Sequence, residues 1–171
     1  MTQALYILFA ISAGLGSALQ TALLGSLGRE RGAWEASFIS ALASAGGLAF
    51  VLGARSVKGP PSELPSPYDT VLPFAGLAVI CFVSLALAIR GVPSYLAITG
   101  LFGFYYLFSA ALVAPRIGIA LFAASITAGT MLGAVLLDHF GAFGATVQKL
   151  DGVKIAGIAA LLAGVLLIRG R

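Results

Sequence analysis

Charge is what this sequence has least of. Only 9% of its 171 residues are charged, ten basic and six acidic, against ~25% in a typical soluble domain. That is too little polar surface to clothe a water-soluble globule of this length. Cysteine is nearly absent as well: Cys81 stands alone, which excludes a disulfide framework, and with His139 as the only histidine no metal-binding spacing exists. A lone thiol inside an apolar stretch behaves as a small apolar group. No nucleophile, base and orienting group stand in a recognisable arrangement, so the chain does not read as an enzyme and implies no cofactor. The net charge of +4 comes from Lys and Arg at the ends of apolar runs, so it does not point to nucleic acid.

Hydrophobic residues make up 60% of the chain. They fall into six stretches, roughly 4–27, 34–54, 70–90, 95–113, 117–137 and 153–169. A helix rising ~1.5 Å per residue needs about 20 apolar residues to cross the ~30 Å hydrocarbon core of a bilayer. The expected fold is therefore an all-α membrane protein of about six transmembrane helices. It forms a single transmembrane domain over 1–171, with helical halves 1–92 and 93–171. The first stretch has no basic residue before it and is too long for a signal-peptide core, so it reads as a retained helix.

The linkers carry most of the charge. Gly28-Arg29-Glu30-Arg31-Gly32 separates the first two helices, and residues 55–69 form the longest loop, stiffened by Pro60, Pro61, Pro65 and Pro67. Arg90-Gly91-Val92-Pro93 closes the third helix, and Pro115-Arg116 is expected to make a tight turn between the fourth and fifth. Residues 138–152 lead to the last helix, which ends in Arg169-Gly170-Arg171.

With six alternating helices, Arg55, Lys58, Arg116, Arg169 and Arg171 share one side of the membrane, and Arg29, Arg31, Arg90, Lys149 and Lys154 the other. Orientation normally follows an excess of Lys and Arg in cytoplasmic loops, and here there is none. One reading of the balance is dual topology, with the chain pairing as an antiparallel homodimer; another is that the first helix or the N-terminus settles orientation. A weak internal repeat offers a third. A shift of 86 positions sets Gly14-Leu15 on Gly100-Leu101, Gly32 on Gly118, Ser44 on Thr130 and Gly47 on Gly133. With a slip, Ile89-Arg90-Gly91 matches Ile168-Arg169-Gly170. Three helices per repeat would place the halves in opposite orientations, the 3+3 inverted repeat common among secondary transporters.

Lipid offers no hydrophobic drive for helices to associate, so small residues must allow close backbone approach. Gly129 and Gly133 form a GxxxG pair, and small residues recur at four-residue spacing as Ala156, Ala160, Gly164 and as Ser37, Ala41, Ala45.

Polar residues inside the apolar stretches are the candidates for a substrate or proton pathway. Glu35 opens the second helix, where a carboxylate could exchange a proton for a cationic substrate, or could simply favour the helix N-terminus. Gln20, with Ser17 and Thr21 on one helical face, needs partners from a neighbouring helix or a ligand. Tyr105 and Tyr106 lie mid-helix, away from the interfacial belts, and could line a cavity or pack with a hydroxyl bond to a neighbour. Asp138-His139 ends the fifth helix, where the pair could titrate or accept a proton or simply be solvated near the headgroups; an acid there opposes the helix dipole and invites a partner such as Lys149 or Lys154. Arg90, Arg116 and Arg169 lie at helix ends and can snorkel.

These residues also resemble a family. Gly14 with Gln20, Leu27-Gly28-Arg29 and Ala36-Ser37-Phe38 look like the opening helix pair of the YdcZ-like branch of the drug/metabolite transporter superfamily. Gly100-Leu101-Phe102-Gly103, Ala114-Pro115-Arg116-Ile117-Gly118 and Leu137-Asp138-His139-Phe140-Gly141 are similar to its later motifs, which makes Arg116, Asp138 and His139 family-motif residues. The Gly157–Gly164 stretch, running on to Ile168, resembles its last helix. The resemblance implies a small multi-pass transporter of the bacterial inner membrane, its substrates not set by the family, working through antiparallel pairing of short units; the expected function is export of small organic molecules by alternating access. Three departures stand out. The family typically has five helices and residues 70–90 look like a sixth; Leu24 stands where an Asn is usual; and Thr130, a further candidate for the pathway, replaces a Gln. A membrane scaffold or lipid-binding accessory subunit is the alternative function.

Overall fold

A computed structural model of the chain describes residues 2–59 and 62–169, without the side chains of Lys58 and Arg169. Pro60, Pro61, Gly170 and Arg171 lie outside the described residues. The chain is all-helical: α1 Gln3–Arg31, α2 Ala33–Lys58, α3 Val71–Ala88, α4 Thr99–Ile117, α5 Ile119–Phe140 and α6 Gly152–Arg169, with 3-10 turns at Ser94–Ile98 and Ala142–Gly144. Among the described residues α1, α2, α3, α5 and the segment Ser94–Ile117 are long and apolar enough to cross a membrane. The apolar part of α6, Gly152–Ile168, is shorter. At ~1.5 Å per residue it still reaches about 26 Å, a mismatch that local thinning of the bilayer accommodates.

Two expected turns move. The charged cluster is not a linker, because α1 continues through Gly28, Arg29, Glu30 and Arg31 and breaks at Gly32 alone. Pro115 and Arg116 likewise stay inside α4, and the break falls at Gly118. Gly32 has φ 94°, ψ 160° and Gly118 has φ 87°, ψ 150°, a region that side chains disfavour strongly. One residue in that conformation reverses the chain and starts the next helix, so no longer linker is needed. Pro115 withholds an N–H from the Ala111 carbonyl but sits in the last turn, where the Arg116 guanidinium bonds the Leu112 carbonyl.

The helices gather into two compact units, residues 1–26 with 105–171, and residues 27–104. In the second unit, α3 turns Phe74, Ala78, Cys81 and Leu85 inward, a four-three-four spacing that makes one helical seam. The seam lies on α2, where Gly46 meets Cys81 and Phe82 and Gly53 meets Phe74. Cys81 is buried there as a free thiol, as a lone apolar cysteine should be. In the first unit Ile7, Leu121, Ala128 and Val165 join α1, α5 and α6 in one core, and Ala10, Val113 and Phe122 join α1, α4 and α5 in another.

Of the small-residue stripes, only the Gly129–Gly133 pair is used. Ser37, Ala41 and Ala45 face outward, as do Ala156 and Ala160, and Gly164 has no neighbour within 4 Å of where a Cβ would stand.

Candidate functional site

In the first unit α1 and α5 approach each other backbone to backbone. A Cβ on Gly14 would overlap the Ile126 carbonyl oxygen and stand 2.8 Å from the Thr130 amide; one on Gly129 would overlap the Ile11 carbonyl. Further along, Gly133 faces Ala18 and Leu15, so the two helices run the same way. The Thr130 hydroxyl ties the crossing, lying 3.2 Å from the Gly14 carbonyl oxygen and 3.0 Å from that of Ile126 in its own helix.

The second unit contains a crossing of the same kind between α2 and the start of α4. A Cβ on Gly100 would overlap the Ser40 carbonyl and stand 2.6 Å from the Ser44 amide, while Gly47 faces the Leu101 side chain. The Ser44 hydroxyl donates to the Gly100 carbonyl at 2.6 Å. Each element of this crossing has its counterpart 86 positions away: Gly100 and Gly14, Ser44 and Thr130, Gly47 and Gly133, Leu101 and Leu15. The turns correspond too. Gly32 donates to Gly28 and accepts from Ala36; Gly118 donates to Ala114 and accepts from Phe122, all at 2.9–3.1 Å.

Just past the first crossing, α1 and α5 part to leave a cleft of about 140 Å³. Ala18, Thr21, Ala22, Thr130, Ala134, Leu137, Asp138 and Ala145 line it. The lining residues with polar side chains are Thr21, Thr130 and Asp138. Thr21 donates to the Ser17 carbonyl at 2.9 Å, as Ser17 does to Ala13 at 3.1 Å, so this face of α1 turns its hydroxyl protons back onto its own backbone.

The segment after α5 folds back beside the cleft. Gly141 takes the left-handed conformation that ends the helix, with φ 61°. The Gln148 amide donates to the Asp138 carbonyl at 2.9 Å, and the Leu150 amide to the Nδ1 of His139 at 3.2 Å. Asp151 then caps α6 by accepting from the Lys154 amide at 2.8 Å. The expected pairing of Asp138 with Lys149 or Lys154 does not form: the Lys154 ammonium bonds the Gln148 side chain and the Lys149 carbonyl, each at 3.2 Å. Among the described residues no three His, Cys, Asp or Glu come together in a way that could hold a metal.

Of the residues singled out from the sequence, the cleft takes Thr130 and Asp138. Gln20 sits half-buried on α1 beside Thr21 and is not in the lining. Glu35 is exposed on the first turn of α2, its carboxylate 2.8 Å from where a Cβ on Gly32 would be. Tyr105 is tied into the first unit by a 2.7 Å hydrogen bond with Ser12 and an edge-on contact with Phe9. The Ser12 proton goes to the Phe9 carbonyl, so Tyr105 is the donor. Tyr106 leans on Phe122, and Arg116 sets its guanidinium 5.5 Å over the Tyr6 ring, a cation–π contact near the helix end. The alanines at 18, 22, 134 and 145 were invisible as site residues. They matter by leaving room; of Ser17, Gln20 and Thr21, marked on α1 from the sequence, the lining takes Thr21.

A protein family described as "Putative inner membrane exporter, YdcZ" matches residues 5–167, a range that includes α3. No curated protein and no solved structure matches the chain.

Proposed function

The chain belongs to the YdcZ family, and from that premise we propose that it exports small organic molecules across the inner membrane by alternating access, with the α1–α5 cleft as its substrate or proton site. The observation that carries this reading is the cleft itself. In a chain with six acidic residues, one of them lines a small cleft between two membrane helices. Asp138 is half-buried in the last turn of α5, where it can meet a ligand entering the cleft from the membrane surface.

The doubled crossing supports the mechanism. Two equivalent glycine contacts, each made by the first helix of one half and the second of the other, are what a 3+3 inverted repeat would produce. Because each half has three helices, the two crossings would run through the membrane in opposite senses, the arrangement from which alternating access arises. One chain then holds both orientations, which favours this account of the balanced charges over an antiparallel homodimer.

The test is accumulation of a panel of small organic compounds in a bacterial host stripped of its own pumps. The chain should lower accumulation of at least one compound, and Asp138→Asn should abolish that effect while leaving the protein in the membrane. Transport unchanged by Asp138→Asn would remove the cleft from the mechanism. A second reading, a lipid-binding accessory subunit, is supported by a different observation. An apolar groove of about 490 Å³ runs along α2 and α3 between Phe50, Val79, Phe82 and Val83. It would be favoured if no compound's accumulation changed.

A further inference from the structure

We infer that the α1–α5 cleft is built for a small organic cation, an alkylammonium whose head is held by Asp138 and whose alkyl part lies against Ala18, Ala22 and Ala134. This names the substrate class of the export site and rests on that reading.

The argument is one of hydrogen-bond sign. Thr21 has one hydroxyl proton and directs it to the Ser17 carbonyl. Thr130 has one, shared between the carbonyls of Gly14 and Ile126. Both hydroxyls therefore present lone pairs to the cleft, and the Asp138 carboxylate can only accept. The amide of Ala145 is already given to the Ala142 carbonyl. The polar side chains among the lining residues are thus acceptors, one of them acidic, and no lining residue is basic. An anion would meet acceptors with acceptors, and a neutral hydroxyl could satisfy one of the three. An ammonium has three N–H donors and the compensating charge. At ~30 Å³ per water the cavity has the room of four or five waters, which sets the size of the ligand at a few carbon atoms.

The second crossing supplies the contrast. At a shift of 86 the positions of Ala18, Thr21 and Ala22 hold Phe104, Leu107 and Phe108, and those of Ala134 and Asp138 hold Leu48 and Leu52. The sequence that repeats Gly14, Gly133 and the hydroxyl of the crossing does not repeat the small residues or the acid. Those differences are what a ligand at one crossing only would produce.

The test is thermal unfolding of the purified full chain in detergent, with n-butylammonium chloride, sodium butyrate and sodium chloride at equal ionic strength. The ammonium should raise the midpoint in a saturable way, and butyrate should match sodium chloride. Asp138→Asn should weaken the effect by tenfold or more, because it removes the acidic partner of the ammonium. Thr21→Val keeps the helix and loses one acceptor to a charged donor, so it should weaken binding by about tenfold even if the Asp138 variant does not fold. No stabilisation by the ammonium, equal stabilisation by butyrate, or binding undiminished in the folded variants would overturn the inference. A wild type that ignores butylammonium while Asp138→Asn still abolishes export would sink the cation and leave the export site standing. Cation binding lost in Asp138→Asn with export unaffected would do the reverse.

Discussion

At the residue scale, the hydroxyl at each crossing is the cheapest probe of the packing. Ser44 and Thr130 occupy equivalent positions, and each reaches the carbonyl of a glycine on another helix. Interhelical hydrogen bonds in membranes average ~0.6 kcal/mol and reach ~1.7, because the separated helices also find partners. Ser44→Ala and Thr130→Val should each destabilise the folded chain within that range, Ser44→Ala the more because Thr130 shares its proton with its own helix. Unfolding in micelles measures this, and a loss above about 3 kcal/mol would mean that the hydroxyls support more than one bond. His139 makes a sharper prediction. Its Nδ1 accepts from the Leu150 amide, whereas the Gln148 amide is held by a backbone carbonyl. His139→Ala should speed hydrogen exchange at Leu150 and leave Gln148 protected; equal exchange at both would contradict the geometry. The sequence marked Asp138 and Thr130 because polar atoms in an apolar run are conspicuous. It could not mark Ala18 or Ala145, whose contribution is the volume they do not fill.

At the element scale, the helices themselves were legible from length and hydropathy, but not where they stop. The charged run 28–31 and the Pro115-Arg116 pair both read as turns, and both are helix. A helix end projecting into the headgroup layer tolerates charge and proline in its last turn, so composition does not mark the break. The conformation of a single glycine does. The choice among small-residue stripes was equally hidden, since Gly129–Gly133 and Ala156–Ala160 look alike until a partner is known. Gly14 and Gly100 are the discriminating positions. Their Cβ atoms would collide with the Ile126 and Ser40 carbonyls, which cannot move without shifting a helix. Gly14→Ala and Gly100→Ala should each cost ~1–3 kcal/mol or more, as overpacking does. Gly76 and Gly157 have nothing within 4 Å, and alanine there should be neutral or stabilising by up to ~1 kcal/mol through helix propensity. Equal tolerance at all four would show that the crossings are looser than described.

At the scale of the whole molecule, this is an all-helical, multi-pass protein of the inner membrane, in a family of exporters. The shift of 86 was faintly legible as matched glycines, and the same shift that aligns them also aligns their contacts. In a background with Cys81 replaced by Ala, cysteines at the equivalent positions Glu30 and Arg116 should react with a membrane-impermeant maleimide from opposite sides. Labelling of both from one side would contradict the inverted halves, and labelling of each from both sides would mean dual topology.

With orientation fixed in that way, accessibility of the cleft tests the central claim most directly. A single cysteine replacing Ala134, which lines the cleft, should react with the impermeant reagent added from either side of the membrane, since alternating access opens one site to both. Reaction from one side only, whatever compound is present, would contradict transport through this cleft.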